Sequence, residues 1–108
     1  MHKFKNYNII NVKINNKPYV LWVANTHNKR IEGLSKIKSL SKNKGMIFIF
    51  EEYNSNPFTM ENTNIPLKLL FLNESGKIVD VKYGIPRQKK PIQSKSDYMY
   101  VIEILDDK

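Results

Sequence analysis

Glu103 is the carboxylate whose surroundings say most. It lies in an alternating stretch, Tyr98 to Leu105, and shares a face with Met99, Val101 and Leu105, because successive side chains of an extended chain point to opposite sides. A charge on an apolar face needs a partner or a solvated cleft, since burying it alone is costly. Glu103 is therefore either an edge residue paired with a Lys or Arg, or a polar group lining a pocket. The stretch Met60-Glu61-Asn62-Thr63-Asn64 reads in a similar way. As a strand it sets Met60 and Asn62 on one face. Asn62 and Thr63 can also bond the backbone where the chain turns before Pro66. Met60, Asn62, Thr63 and Glu103 form the candidate ligand-binding set, for a small molecule or carbohydrate. A hydrolase acting through Glu103 is the enzymatic alternative. It needs a second titratable group within reach of the substrate, and none stands out.

Other catalytic patterns are missing, so no catalytic set is assigned. The histidines are His2 and His27, and cysteine is absent. Two His without Cys or suitably spaced carboxylates do not make a zinc site, so no metal or cofactor is expected. No nucleophile elbow surrounds a serine, and four glycines form neither a Walker loop nor a dinucleotide fingerprint. Glu51-Glu52 and Asp106-Asp107 are adjacent pairs, which extended backbone points apart. Trp22, Tyr83, Tyr98 and Tyr100 would suit a stacking platform for sugars or bases, although core packing is the commoner use of such residues.

Charge raises a third possibility. The net charge is +8, with 16 Lys against only Arg30 and Arg87. Lys36, Lys38, Lys42 and Lys44 form one basic loop and Arg87, Lys89 and Lys90 another. If the two share a surface they make an electrostatic footprint for nucleic acid. Specific phosphate sites favour Arg, however, and the abundance of Lys and of 13 Asn also fits an AT-rich coding bias.

The 108 residues suit one domain spanning the chain. A hydrophobic share of 41%, with five Phe, six Tyr and one Trp, is too apolar for a disordered chain. Apolar runs such as Met46 to Phe50 are far short of a membrane span of ~20 residues. The polar start shows no signal peptide. A cytoplasmic protein is the simplest expectation, and an exported one from which the signal had been removed would look the same.

Local patterns place these residues on elements. Asn8 to Ile14 and Tyr19 to Ala24 read as strands joined at Asn15-Asn16-Lys17, with Pro18 opening the second strand. Thr26 is an N-cap for a helix from about His27 to Leu34 or a little beyond, docking through Ile31 and Leu34. Gly33 there implies close packing or a helix stop. A basic connection then leads to a central strand, Met46 to Phe50, and a loop from Glu51 to Pro57. Strands are expected at Phe58 to Asn62, Leu67 to Leu72 and Lys77 to Tyr83, the last with Val79, Val81 and Tyr83 on one face. A long loop from Gly84 to Asp97 precedes the closing strand, and Asp106-Asp107-Lys108 is a frayed end. About seven strands and one short helix predict a mainly β fold, a sandwich or barrel.

From Ala24 onward the chain resembles the DUF192 family. The matching residues are Ala24-Asn25-Thr26, Arg30, Gly33-Leu34, Gly45-Met46-Ile47-Phe48, Phe58-Thr59-Met60-Glu61-Asn62-Thr63, Ile65-Pro66-Leu67, Phe71-Leu72, Gly76, Ile78-Val79 and Tyr100-Val101-Ile102-Glu103. The resemblance implies a compact β-barrel or jelly-roll-like fold with one helix packed on it. It implies no established activity. Members of the family usually carry an aromatic residue where this chain has Thr59, and Asp where it has Lys68. The ordering of expectations is a non-catalytic ligand-binding or accessory domain, then a hydrolase using Glu103, then a nucleic-acid binder.

Overall fold

Asn15 and Asn16 both take positive φ, 51° and 67°, the conformation in which a two-residue turn matches the twist of the strands it joins. In the computed structural model, which describes residues 4–107, this turn links β1 (Ile9–Ile14) to β2 (Lys17–Ala24). Ile9 stands opposite Trp22 and Ile14 opposite Lys17. His2 and Lys108 lie outside the described residues.

The helix α1 (His27–Glu32) begins as its cap predicts, with the Lys29 N–H donating to Thr26 Oγ1 at 3.2 Å. It ends sooner than expected. Gly33 takes φ +50° and its N–H donates to the Lys29 carbonyl, so the left-handed residue stops the helix. Ile31 is 69% exposed and the helix contributes no buried residue, contrary to the expected Ile31–Leu34 docking face. Leu34, Ile37 and Leu40 of the following connection enter the core instead.

β3 (Lys44–Asn54) runs parallel to β2, with Val20 opposite Lys44 and Ala24 opposite Phe48. It extends four residues past Phe50, through the stretch expected to be loop. β4 (Leu67–Leu72), β5 (Ile78–Gly84) and β6 (Tyr98–Leu105) complete one mixed sheet in the order β1-β2-β3-β6-β4-β5. The turn before β5 is held by Asn73, whose Oδ1 accepts from the N–H groups of Ser75 and Lys77.

Six strands are present among the described residues, not seven. Phe58 to Asn62 forms no strand and makes one isolated bridge, Phe58 to Ile92. The clean alternation expected for β5 also fails. Leu70 pairs with Val81 and Phe71 with Asp80, but Leu72 pairs with Ile78. Val79 is the extra residue of a bulge, and it packs on the opposite face from Val81.

The sheet has two apolar faces. One carries Leu21, Val23, Ile47, Leu70, Leu72, Ile102 and Ile104. Every residue of that cluster comes from a strand, so the sheet curls over its own side chains. It does not close: β1 and β5 remain edges, which corrects the barrel and jelly-roll expectation. The other face is covered by connecting segments and holds Met46, Phe48, Leu67, Leu69, Phe71, Tyr98 and Val101. No helix among the described residues is long and apolar enough to cross a membrane.

Candidate functional site

β6 lies between β3 and β4, which makes Glu103 a central residue, not the edge residue of one sequence reading. It stands in register with Met46 on one side and Leu69 on the other. Directly opposed residues share a face, so the carboxyl points to the covered side of the sheet among apolar neighbours. It is 5% exposed, and burial pushes it up to about 8. No described residue gives it a hydrogen bond or an ion pair. No fully buried polar side-chain atom is left unpaired among the described residues, so the Glu103 oxygens open onto the cavity that the residue lines.

That cavity has a volume of about 400 Å³. Its walls are aromatic. Phe48 and Phe58 meet edge to face with centroids 5.2 Å apart, and Phe50 meets Tyr98 at 5.5 Å. The hydroxyl of Tyr98 donates to the Asn56 carbonyl at 2.6 Å, and burial of the ring raises its phenol to about 12. Phe48 and Phe50 alternate along β3 and reach one face together, whereas Phe58 arrives from a loop held by its bridge to Ile92.

Arg30 forms part of the helical wall. Its Nη1 donates to the Ile49 carbonyl at 2.8 Å, and its guanidinium lies 5.1 Å from the Phe50 ring centre. The left-handed turn at Gly33 brings backbone close to Phe48, where a β-carbon would sit 3.4 Å from the ring. Glu32 also borders the cavity, but its carboxylate accepts from Lys36 at 2.7 Å and from the Tyr7 hydroxyl at 2.6 Å. Those two bonds hold it below the ordinary carboxylate range.

The polar rim comes from the segment before β4. Thr63 N–H donates to the Met60 carbonyl at 3.0 Å and Arg87 N–H to the Thr63 carbonyl at 2.9 Å. This turn corrects the strand reading, in which Met60 and Asn62 shared a face. Met60 is buried in the core against Gly84, and Asn62 is exposed. Asn62 and the buried Thr63 both line the cavity with Glu103, while Met60 does not. Three of the four expected site residues are thus brought together. Sequence reasoning offered Tyr98 as a stacking residue but missed the phenylalanine walls and Arg30. The Phe48/Phe50 alternation was the available signal for the former, and nothing local pointed to the latter.

The remaining candidates lie elsewhere. Lys36, Lys38, Lys42 and Lys44, and Arg87, Lys89 and Lys90, are absent from the cavity lining. Lys36 is paired with Glu32, and Lys44 lies 6.0 Å over Trp22. The four aromatics proposed as a platform are dispersed. Trp22 packs on Phe4, Tyr98 is in the core, Tyr100 is on the curled face and Tyr83 is exposed. His27 is exposed at the cavity rim. No cluster of three His, Cys, Asp or Glu residues suited to a metal exists among the described residues.

A model of the DUF192 family, described as Uncharacterized ACR, matches residues 10–107. A crystal structure of a protein of unknown function from Novosphingobium aromaticivorans DSM 12444 is similar, with TM-score 0.84 and 23% identity, over 99% of this chain and 80% of the other. A second, from Sinorhizobium meliloti 1021 and named as a proposed transcription regulator, has TM-score 0.78 and 26% identity over 92% and 81% of the two chains. No curated protein matches the chain.

Proposed function

The chain belongs to the DUF192 family, for which no function is established, and from that premise we propose that it is a non-catalytic ligand-binding domain whose site is the Glu103 cavity. The observation that carries this reading is an acid, 5% exposed, that has no partner among the described residues and opens onto an aromatic-walled cavity. A buried carboxyl without a partner destabilises a fold, and a ligand that completes its hydrogen bonds offsets that. Apolar walls with a few convergent polar groups, here Glu103, Thr63 and Asn62, are the usual make-up of a small-molecule site. Proton–nitrogen correlation NMR against a fragment library tests the reading. Hits should move the amides of Arg30, Asn62, Thr63 and Glu103. Fragments that bind only elsewhere, or none that bind, would refute it.

One observation favours a catalytic alternative. A carboxyl raised to about 8 keeps its proton at neutral pH, as a general acid must. Asn62 and Thr63 at the rim suit recognition, and of the other titratable groups bordering the cavity Arg30, Glu32 and Tyr98 are engaged within the fold while His27 is exposed, so binding ranks first. Turnover of any ester, glycoside or amide substrate that Glu103→Gln abolishes would reverse the order.

A further inference from the structure

Resting on the reading of this cavity as a ligand site, we propose that its occupant is a flat, uncharged ring carrying an N–H beside a carbonyl: a cyclic amide, such as a lactam or the edge of a nucleobase.

The inference starts from the shape of a neutral carboxyl. It presents an O–H donor and a C=O acceptor on one edge. A cyclic amide presents the complementary acceptor and donor at the same spacing, so two parallel hydrogen bonds form at once. In Glu103 both groups are unengaged by the described residues and open onto the cavity. The walls fit the ring. Phe48 and Phe58 stand at 88° to one another, so a flat molecule can lie on one face and meet the edge of the other.

Charge argues against the alternatives. The groups around the acid are apolar on both flanking strands, Met46 and Phe48 of β3 and Leu69 of β4. Lys68, which pairs with Ile104, belongs to the opposite face of the sheet. The titratable groups that border the cavity are His27, Arg30 and Glu32 from α1 and Tyr98 from β6. Glu32 is engaged by Lys36 and Tyr7, Tyr98 by Asn56, and Arg30 by Ile49 and Phe50. A cation would have to strip the Glu103 proton in apolar surroundings and pass the Arg30 guanidinium. An anion would give up its water in apolar surroundings for one O–H donor, because Arg30 is already engaged by Ile49 and Phe50. The lifted carboxyl, about 8, keeps the donor in place at neutral pH.

An NMR titration with α-pyridone, its N-methyl derivative and benzylamine, on wild type and Glu103→Gln at pH 7 and 9, tests this. α-Pyridone should move the amides of Phe48, Thr63 and Glu103. N-methylation removes one of the two bonds and should weaken binding about tenfold. Wild type should lose about tenfold in affinity between pH 7 and 9 as the acid ionises. Glu103→Gln keeps a donor and an acceptor, so it should still bind and lose that pH dependence. Preference for benzylamine, tightening as pH rises, would overturn the cyclic-amide assignment and leave a ligand site for cations. If none of the three probes moves the cavity amides the assignment also falls, and the fragment screen decides the wider reading separately.

Discussion

Gly45 of β3 lies close beside the backbone of Glu103 in β6: a β-carbon on Gly45 would collide with the Glu103 carbonyl oxygen and lie 2.9 Å from Ile104 Cγ2. The obstacle is backbone in the middle of the sheet, which cannot rotate away. At Gly84 the nearest atoms are instead side-chain atoms, Met60 Sδ at 2.7 Å and Ile92 Cδ1 at 2.8 Å. Gly45→Ala should therefore destabilise by about 3 kcal/mol or more and Gly84→Ala by about 1 kcal/mol. Urea unfolding of both variants checks the ranking, and equal costs would contradict it.

The ionisation of Glu103 predicts a slope in stability against pH. Its carboxyl titrates near the usual 4.5 when unfolded and about 8 when folded. The folded state thus holds a proton that the unfolded state releases. Stability is fully present below pH 4.5 and falls through the window up to about 8, by roughly 1 kcal/mol per pH unit. Glu103→Gln removes this term, so its advantage over wild type should widen across that window and then level off. Parallel stability–pH curves for the two proteins would mean that Glu103 is ionised in the fold.

Thr26 caps a helix of six residues that buries no side chain of its own. With little packing to hold α1, the cap matters more than usual. Thr26→Ala should cost about 1 kcal/mol and speed amide exchange at Lys29, while Thr26→Ser should restore both. An unchanged exchange rate at Lys29 would show that the cap contributes nothing.

Tyr98→Phe removes the 2.6 Å bond to the Asn56 carbonyl but keeps the ring in its cluster with Phe50, Phe58 and Phe71. Asn56 is exposed, so water can take over its carbonyl. The expected loss is about 1 kcal/mol, with faster hydrogen exchange confined to the end of β3 and the Phe58 loop. A loss spread evenly over the sheet would argue against this local role.

Much of the fold was readable because local chemistry decided it. The Asn15-Asn16 turn, the Thr26 cap and the face of Glu103 all depend on near neighbours in sequence. The misreadings share a different cause. Phe58-Thr59-Met60 looks like a strand, yet Thr59 Oγ1 accepts from the Glu61 N–H and Met60 O from the Thr63 N–H, which turns the chain. The bulge at Val79 and the extension of β3 to Asn54 are set by the strands that they face, β4 and β6. Whether Glu103 was central or at an edge depended likewise on strand order, which joins residues far apart in the chain. The cavity was half legible for the same reason: Asn62, Thr63 and Glu103 were expected together and do line it, but its walls come from four separate segments.

Strand order has a consequence for synthesis. Tyr98–Leu105, the sixth strand in chain order, is the one that joins β3 to β4. Until it emerges, the nascent chain holds a three-stranded piece and a separate hairpin, each with an unpaired apolar border. Without it the two pieces have no strand pairing between them, and side-chain contacts such as those of Phe58 with Phe48 and Phe71 are what remains to connect them.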